Sequence, residues 1–218
     1  MREFMDRRAC RRDDDGVTLV ELLISMAIFS LIIAMTYSVL ITIQRQTKDT
    51  TARADTVADA RLALQQIDRQ VRSGNVLYSP ANETGTTGCT ATTVAPSLTA
   101  NAGNCMRIYT QANGDQRCVQ WQVTGGVLRS RSWSPTWTTD GLVTDWGVVA
   151  HNTVNTSTEP PFILQGGSTA YGSRLVDIEL RVNAPGSKGL PVDVTSSLSG
   201  RNTAYGYDPG ICSPVPTA

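Results

Sequence analysis

The stretch DDDGVTLVELLISMAIFSLIIAMTYSVL, residues 13–40, decides the fold of this chain. Between Leu22 and Ile43 no residue carries a charge, and Leu, Ile, Met, Val, Phe and Ala dominate. Because a helix rises about 1.5 Å per residue, roughly 20 apolar residues cross the hydrocarbon core of a membrane. A core helix of a small soluble protein would show a polar face, which this run lacks. The run therefore predicts a helix with residues 22–43 in the membrane and one carboxylate, Glu21, at its head.

Basic residues precede the apolar run. A positively charged flank tends to stay in the cytoplasm, so the sequence predicts a single pass with the N-terminus inside and the region after Ile43 outside. The run is longer than the apolar core of an ordinary secretory signal, and no A-x-A-like cleavage site follows it. The basic residues are Arg2, Arg7, Arg8, Arg11 and Arg12.

The segment after the apolar run continues the same helix. No Gly or Pro occurs between Val17 and Ser73, and Gly74 supplies a stop, which predicts one long helix over residues 17–74. Its second half carries an apolar stripe with spacings of three and four residues. Such a stripe packs either on the distal domain of the same chain or on the helices of neighbouring copies. The stripe consists of Val57, Ala60, Leu64, Ile67 and Val71.

The position of Glu21 relative to Gly16 suggests a reason for the carboxylate. Cleavage between Gly16 and Val17 places a new α-amino cation four residues before Glu21. In a bundle of such helices the carboxylate of one subunit can meet the amine of the next, and a buried pair of this kind favours one axial register. The sequence G-V-T-L-V-E-L-L, residues 16–23, resembles the class III signal of type IV pilins and of the pseudopilins of type II secretion systems.

The resemblance implies specific processing. A membrane-embedded prepilin peptidase would cut after Gly16, remove residues 1–16 as a charged leader and methylate Val17, and Glu21 would serve filament assembly. Val17 replaces the phenylalanine that is commonest in the family, and residues 17–73 lack the helix-breaking proline of many major pilins. Residues 60–74 resemble the helix tails of minor pilins and pseudopilins of the J or W type, which favours a minor component.

The resemblance also implies an architecture and partners. The expected fold is α+β and type IV pilin-like, with the long N-terminal helix packed on a C-terminal antiparallel β-sheet domain. The expected partners are other pilin subunits in a helical filament, the prepilin peptidase, the cytoplasmic membrane and the pilus assembly platform. The chain would lie in the cytoplasmic membrane before assembly and in a filament at the cell surface afterwards.

Residues 75–218 are predicted to form an extracytoplasmic β-rich domain, because Thr, Ser, Gly, Asn and β-branched residues become frequent there. Residues 118–124 and 127–133 flank Gly125-Gly126 and predict a half-buried hairpin with one apolar and one polar face. Residues 81–105 are interpreted as a long surface loop. Further predicted strands are residues 106–110, 161–165 and 174–182.

The five cysteines support export. Cys10 precedes the apolar run, so removal of the leader leaves four cysteines, enough for two disulfides in an oxidising compartment. Four cysteines allow three pairings. Cys89 with Cys105 and Cys118 with Cys212 is the preferred one.

The sequence carries few signs of chemistry. It contains no phosphate-binding glycine motif, H-E-x-x-H or C-x-x-C, and Asp140, Asp145 and Asp208 follow no calcium-loop pattern. The only histidine, His151, is interpreted as a loop residue. We therefore expect a protein that is not an enzyme and needs no cofactor or metal.

Two alternative functions remain open at this point. A filament-tip adhesin or DNA-uptake subunit would use the distal domain to bind a ligand, although 19 basic residues against 19 acidic residues give no excess of cations for nucleic acid. A membrane-anchored enzyme is the third possibility, and it lacks a visible catalytic set of residues.

Overall fold

The computed structural model describes residues 16–92, 101–165, 174–187, 189–200 and 207–217. One helix, α1, runs without a break over Leu19–Ser73, which confirms the predicted long N-terminal helix. The chain divides into two compact units, one ending at Thr47 and a larger one from Lys48 onward.

The larger unit contains two antiparallel sheets of five strands each, as an α+β fold requires. The strands in chain order are β1 Gly74–Leu77, β2 Ala91–Thr92, β3 Ala102–Gly103, β4 Cys105–Thr110, β5 Arg117–Thr124, β6 Val127–Trp133, β7 Gly147–His151, β8 Phe162–Leu164, β9 Leu175–Val182 and β10 Val192–Ser199. The first sheet has the order β1-β4-β5-β6-β7, and the second has the order β10-β9-β8-β3-β2. A short helix, α2, covers Trp137–Asp140, and 3-10 turns cover Pro80–Gly85 and Ala112–Gly114.

The apolar stripe of α1 packs on the core of its own chain. Ala60, Leu64, Ile67 and Val71 are buried, and Val57 is half-buried. Leu64, Ile67 and Val71 join a core cluster to which both sheets contribute. Burying one Leu or Ile side chain contributes roughly 1.5–3 kcal/mol, so this stripe holds the second half of the helix on the sheets. Of the two packing partners considered from sequence, the structure shows the distal domain.

The predicted hairpin is confirmed with its register. Thr124 lies opposite Val127, and Gln120 lies opposite Arg131. Gly125 and Gly126 adopt φ of 58° and 79°, the left-handed values that a two-residue hairpin turn requires and that glycine adopts without a steric cost. The alternating strand is also confirmed, since every second residue of β9, beginning with Val176, is buried.

Two tryptophans differ in a single hydrogen bond. Trp121 and Trp133 are 1% and 2% exposed. The Nε1–H of Trp121 donates to Oε1 of Gln70 on α1 at 2.7 Å, which ties the first sheet to the helix. Within the described residues, Nε1 of Trp133 has no hydrogen-bond partner.

We expect Trp121→Phe to lower the free energy of unfolding by about 0.5–1.5 kcal/mol more than Trp133→Phe, because only the first change removes a hydrogen bond, that to the half-buried Gln70. Guanidinium unfolding of the full chain in detergent, followed by far-ultraviolet circular dichroism, measures both variants. Trp133→Phe is the matched control, since it removes the same atoms from a buried site. Equal losses would show that the bond to Gln70 contributes nothing.

The polar face of the hairpin is buried, which corrects the expectation of a half-buried hairpin. Gln120, Gln122 and Arg131 are 0%, 0% and 2% exposed. They lie in a polar layer with Glu83, which comes from the region interpreted as a surface loop. Arg107 Nη2 lies 3.0 Å from Glu83 Oε1, and Gln120 Nε2 donates to Glu83 Oε2 at 3.1 Å. Sequence alternation could not reveal this layer, because it depends on the segments that cover it.

The Glu83 carboxylate is the centre of this layer. Burial raises the pKa of Glu83, and the Arg107 guanidinium acts in the opposite direction. Charged and polar groups in a protein interior are tolerated when hydrogen bonds replace their contacts with water. Arg131 extends the layer by donating through Nε to Gln120 Oε1 at 3.0 Å.

The C-terminal segment, residues 207–217, forms one cover of the polar layer. Arg107, Trp137 and Arg131 donate side-chain N–H groups to the carbonyl oxygens of Cys212, Pro214 and Pro216, at 2.9, 2.7 and 2.6 Å. Between Cys212 and Pro216, every second carbonyl of the tail therefore accepts a hydrogen bond from a side chain of the domain.

Two disulfides attach the segments that cover the polar layer, residues 80–92 and the C-terminal tail, to the first sheet. Cys118 of β5 bonds Cys212 of the tail, and Cys105 of β4 bonds Cys89. These are the pairs preferred from sequence. Cys89 is buried, as is Ala102 in β3, so residues 81–105 are not simply a surface loop. Residues 93–100 lie outside the described part of the chain.

Five strands were missed by sequence reasoning: β2 and β3 lie in the segment interpreted as a surface loop, and the others are β1, β7 and β10. β1 begins directly after α1 at Gly74, and β7 includes His151, which is therefore an exposed strand end and not a loop residue. β10 reads VDVTSSLS, which is too polar to give a clear strand signal. Its residues become a strand because they pair with β9 over eight consecutive positions.

Candidate functional site

The candidate site lies at the first turn of α1. Thr18 precedes the helix, and Glu21 is the third residue within it. The backbone N–H of Glu21 donates to Thr18 Oγ1 at 3.3 Å. In return, the N–H and the hydroxyl of Thr18 donate to Glu21 Oε2 at 3.4 and 3.3 Å. This reciprocal pattern is a capping box, which satisfies N–H groups that the helix start leaves unpaired.

The capping box explains in part why this apolar helix carries a carboxylate at its start. Sequence analysis did not predict the capping box. The signal was present as T-x-x-E, Thr18 to Glu21, directly before an apolar run. A carboxylate at a helix N-terminus also interacts favourably with the helix dipole. Glu21 thus has a local structural role that is separate from any contact with another subunit.

Gly16 and Val17 precede the helix and are exposed. A Cβ built at Gly16 would meet no atom within 4 Å, and Val17 is 72% exposed. The peptide bond that joins them therefore lies outside regular secondary structure, and no packing in the described chain holds it.

The first half of α1 exposes apolar side chains around its circumference. Phe29, Leu31 and Met35 are 64%, 61% and 69% exposed, and the other large apolar residues from Leu19 to Ile43 are exposed as well. Such a surface is unfavourable in water, so it requires an apolar environment or a partner. By length and composition, α1 is apolar enough to cross a membrane, with a mean hydropathy of 2.3 in its most apolar window.

The serine and threonine hydroxyl groups within this apolar half are satisfied by the helix itself. Each donates to a backbone carbonyl three or four residues earlier, for example Ser25 to Leu22 at 2.9 Å and Thr36 to Ile32 at 2.7 Å. Ser30, Ser38 and Thr42 make the same kind of bond. Because a hydrocarbon environment offers no hydrogen-bond partners, internal bonds of this kind suit a helix in lipid or in a helix bundle.

The described part of the distal domain uses several of its ionisable side chains to stabilise the fold. It holds no group of three or more His, Cys, Asp or Glu side chains placed to bind a metal ion. Its cysteines form disulfides, and Glu83 and Arg107 are committed to the polar layer. Asp140 accepts hydrogen bonds from Leu142 N–H and the Thr136 hydroxyl, so it stabilises the turn around α2.

Comparison with known proteins supports the significance of the first turn. Residues 11–37 match the family model described as the prokaryotic N-terminal methylation motif. The match covers Gly16, Val17 and Glu21 together with much of the apolar run. Neither a curated protein nor a solved structure matches the chain. The architecture beyond residue 37 therefore rests on the structure described above.

Proposed function

The chain carries the prokaryotic N-terminal methylation motif at the head of a long apolar helix, consistent with a type IV pilin-like protein, and we propose that it is a minor pilin or pseudopilin. The motif supports a precursor that is processed by prepilin peptidase. It points to a structural subunit and not to an enzyme. In the proposed mature protein, residues 1–16 are removed and Val17 becomes the methylated N-terminus.

One observation carries the proposal: the motif begins before α1 and continues into a helix half that is apolar and exposed on all sides. A membrane and a bundle of similar helices both cover such a surface, and a subunit of this kind uses the two in turn. Residues 22–43 would span the cytoplasmic membrane before assembly and would then pack against other subunits in a filament at the cell surface.

The orientation follows from the chemistry of the two flanks. The basic residues before the apolar run favour the cytoplasm, and the disulfides of the distal domain require an oxidising compartment. Residues 75–218 therefore belong outside the cytoplasm in this proposal. The membrane, the prepilin peptidase, the assembly platform and other pilin subunits are the partners.

Glu21 has a second role in the proposal. After cleavage the carboxylate lies one helical turn from its own N-terminal amine, and in a bundle it reaches the amine of a neighbouring subunit. Pairing of the two charges within an apolar bundle favours one axial position of each helix over the others. The capping box keeps the carboxylate at the helix start before assembly.

We expect the protein recovered from its native membrane or from shed filaments to begin at N-methylated Val17 and to lack Cys10. Intact mass and sequencing of the N-terminal peptide measure this directly. Gly16→Val is the matched control, because an added side chain at Gly16 meets nothing in the fold but changes the residue before the cut. The variant should keep residues 1–16. A wild-type chain that retains Met1 in cells with active prepilin peptidase would contradict the proposal.

A further inference from the structure

Strand β10 has a free edge. It is the last strand of the second sheet, and among the described residues it pairs only with β9. Glu179 and Arg181 of β9 direct their N–H groups away from β10, to the Pro161 carbonyl and to Asn155 Oδ1. In an antiparallel pair the opposite residues then direct their own backbone groups away from β9. Thr195 and Asp193 are those residues, so their N–H and C=O groups point to the open side.

Apart from the neighbouring face of α1, this edge carries none of the usual protection against strand pairing. Exposed edges are commonly blunted by lysine, proline, a bulge or a very short strand. β10 contains neither lysine nor proline, and its eight pairs with β9 follow one another without a bulge. Its one charged residue, Asp193, is bound to Arg181 at 2.8 Å. The edge is therefore long, regular and able to accept another strand.

A groove runs along this edge. One wall is β10 from Val192 to Leu198, and the other is the α1 face that includes Val57, Arg61 and Gln65. The groove has a volume of about 550 Å³. Arg61 is exposed and forms no ion pair within the described residues. Among the described residues, an extended chain in the groove would meet apolar side chains, unpaired backbone groups and the Arg61 cation, while Asp68, Arg72 and Asp193 of the lining are held in ion pairs.

The outer strand of the first sheet, β7, offers a strand of suitable length. β7 is the last strand of the first sheet, and its Val148 is 52% exposed. Its pairing with β6 shifts register once, at Val149, so β7 is less regular than β10. Asp145, two residues before the strand, is exposed and forms no ion pair within the described residues. Five residues of β7 extend about 17 Å, which fits within the length of β10. The charge of Asp145 is opposite to that of Arg61.

We propose that the β10 groove of one copy receives β7 of a second copy by edge-to-edge strand pairing, with Asp145 facing Arg61. The two surfaces differ, so the contact is heterologous, and repeated contacts of this kind build an open helical array and not a closed dimer. Main-chain hydrogen bonds supply the binding, and the charge pair selects the partner. The inference rests on the proposed function for its place in a filament.

Photo-crosslinking of the full chain in its native membrane tests the contact. With p-benzoylphenylalanine in place of Val148, we expect a dimer-sized adduct whose joined peptide contains residues 192–199. Thr195→Pro should reduce the adduct about tenfold, because it removes an outward N–H from the edge. Thr195→Val is the matched control and should leave the yield unchanged, since it keeps that N–H. An adduct with another protein or another segment would overturn the proposal, as would equal yields from the two Thr195 variants.

A charge exchange provides an independent test. Arg61→Asp and Asp145→Arg should each lower the adduct about fivefold, and the double variant should recover it, because both charges are then exchanged. No recovery would overturn the assignment of this pair. Processing at Gly16 and filament yield are measured in the same samples. Normal values of both without the adduct would remove this contact and leave the proposed function intact. A chain that forms the adduct but keeps residues 1–16 would support this contact and contradict the proposed function.

Discussion

Glu21→Gln is expected to reduce incorporation into filaments by at least about a hundredfold, with membrane insertion unchanged. Leaving one charge of a buried pair without its partner costs about 3–5 kcal/mol, and about 1.4 kcal/mol corresponds to a factor of ten. In the proposed bundle, the unpartnered charge is the amine of the neighbouring Val17. We expect insertion to be insensitive, because in the proposed membrane helix this side chain lies in the first turn, within reach of the membrane surface.

The glutamine variant separates the two roles of this residue. Its side-chain oxygen accepts the same hydrogen bonds from Thr18, so the capping box is retained while the charge is lost. Thr18→Ala is the matched control, since it removes the cap and keeps the carboxylate. Losing a cap costs about 1 kcal/mol, so this variant should lose less than about tenfold in incorporation.

Immunoblotting of the membrane and of shed filaments measures insertion and incorporation in the same cells, and the N-terminal peptide reports processing. A Glu21→Gln chain that is processed and incorporated normally would remove the charge pair from the mechanism. If Thr18→Ala were the more harmful change, helix capping would be the main role of Glu21.

The sequence was most informative where structure depends on local pattern. The 55-residue helix follows from an uninterrupted run without Gly or Pro, and the hairpin follows from two glycines between alternating segments. Both depend on contacts between residues that are close in the chain. The first turn belongs to the same class, because the spacing of Gly16, Val17 and Glu21 marks the motif without any knowledge of the distal domain.

The distal domain was harder to predict from the sequence, because which of its residues are buried depends on segments that are distant in the chain. Gln120 and Arg131 look like solvent-facing residues of a hairpin, yet they are buried under residues 80–92 and the C-terminal tail. Glu83 acquires its partners only when residues 24 and 37 positions away fold next to it. Residues 192–199 form strand β10 because they pair with β9, and no apolar periodicity in their sequence predicts a strand.

Removal of the Cys118–Cys212 disulfide is expected to cause the largest loss of stability in the distal domain. This bond closes a separation of 94 residues, and the Cys89–Cys105 bond closes one of 16. Loop-closure entropy in the unfolded chain then gives about 4.7 kcal/mol for the first bond and about 3.1 kcal/mol for the second. The tail also covers the polar layer through Arg107, Arg131 and Trp137, so its release exposes that layer to water.

Guanidinium unfolding of the full chain in detergent measures both losses, with Cys118→Ser/Cys212→Ser compared against Cys89→Ser/Cys105→Ser. Tryptophan fluorescence reports the distal domain alone, since all four tryptophans lie between residues 121 and 146. The first double variant should be less stable than the second by about 1.6 kcal/mol or more. A larger loss in the second would mean that the segment held by Cys89, and not the tail, governs the stability of the polar layer. The buried ion pair of Glu83 with Arg107 would then be the feature that the disulfide protects.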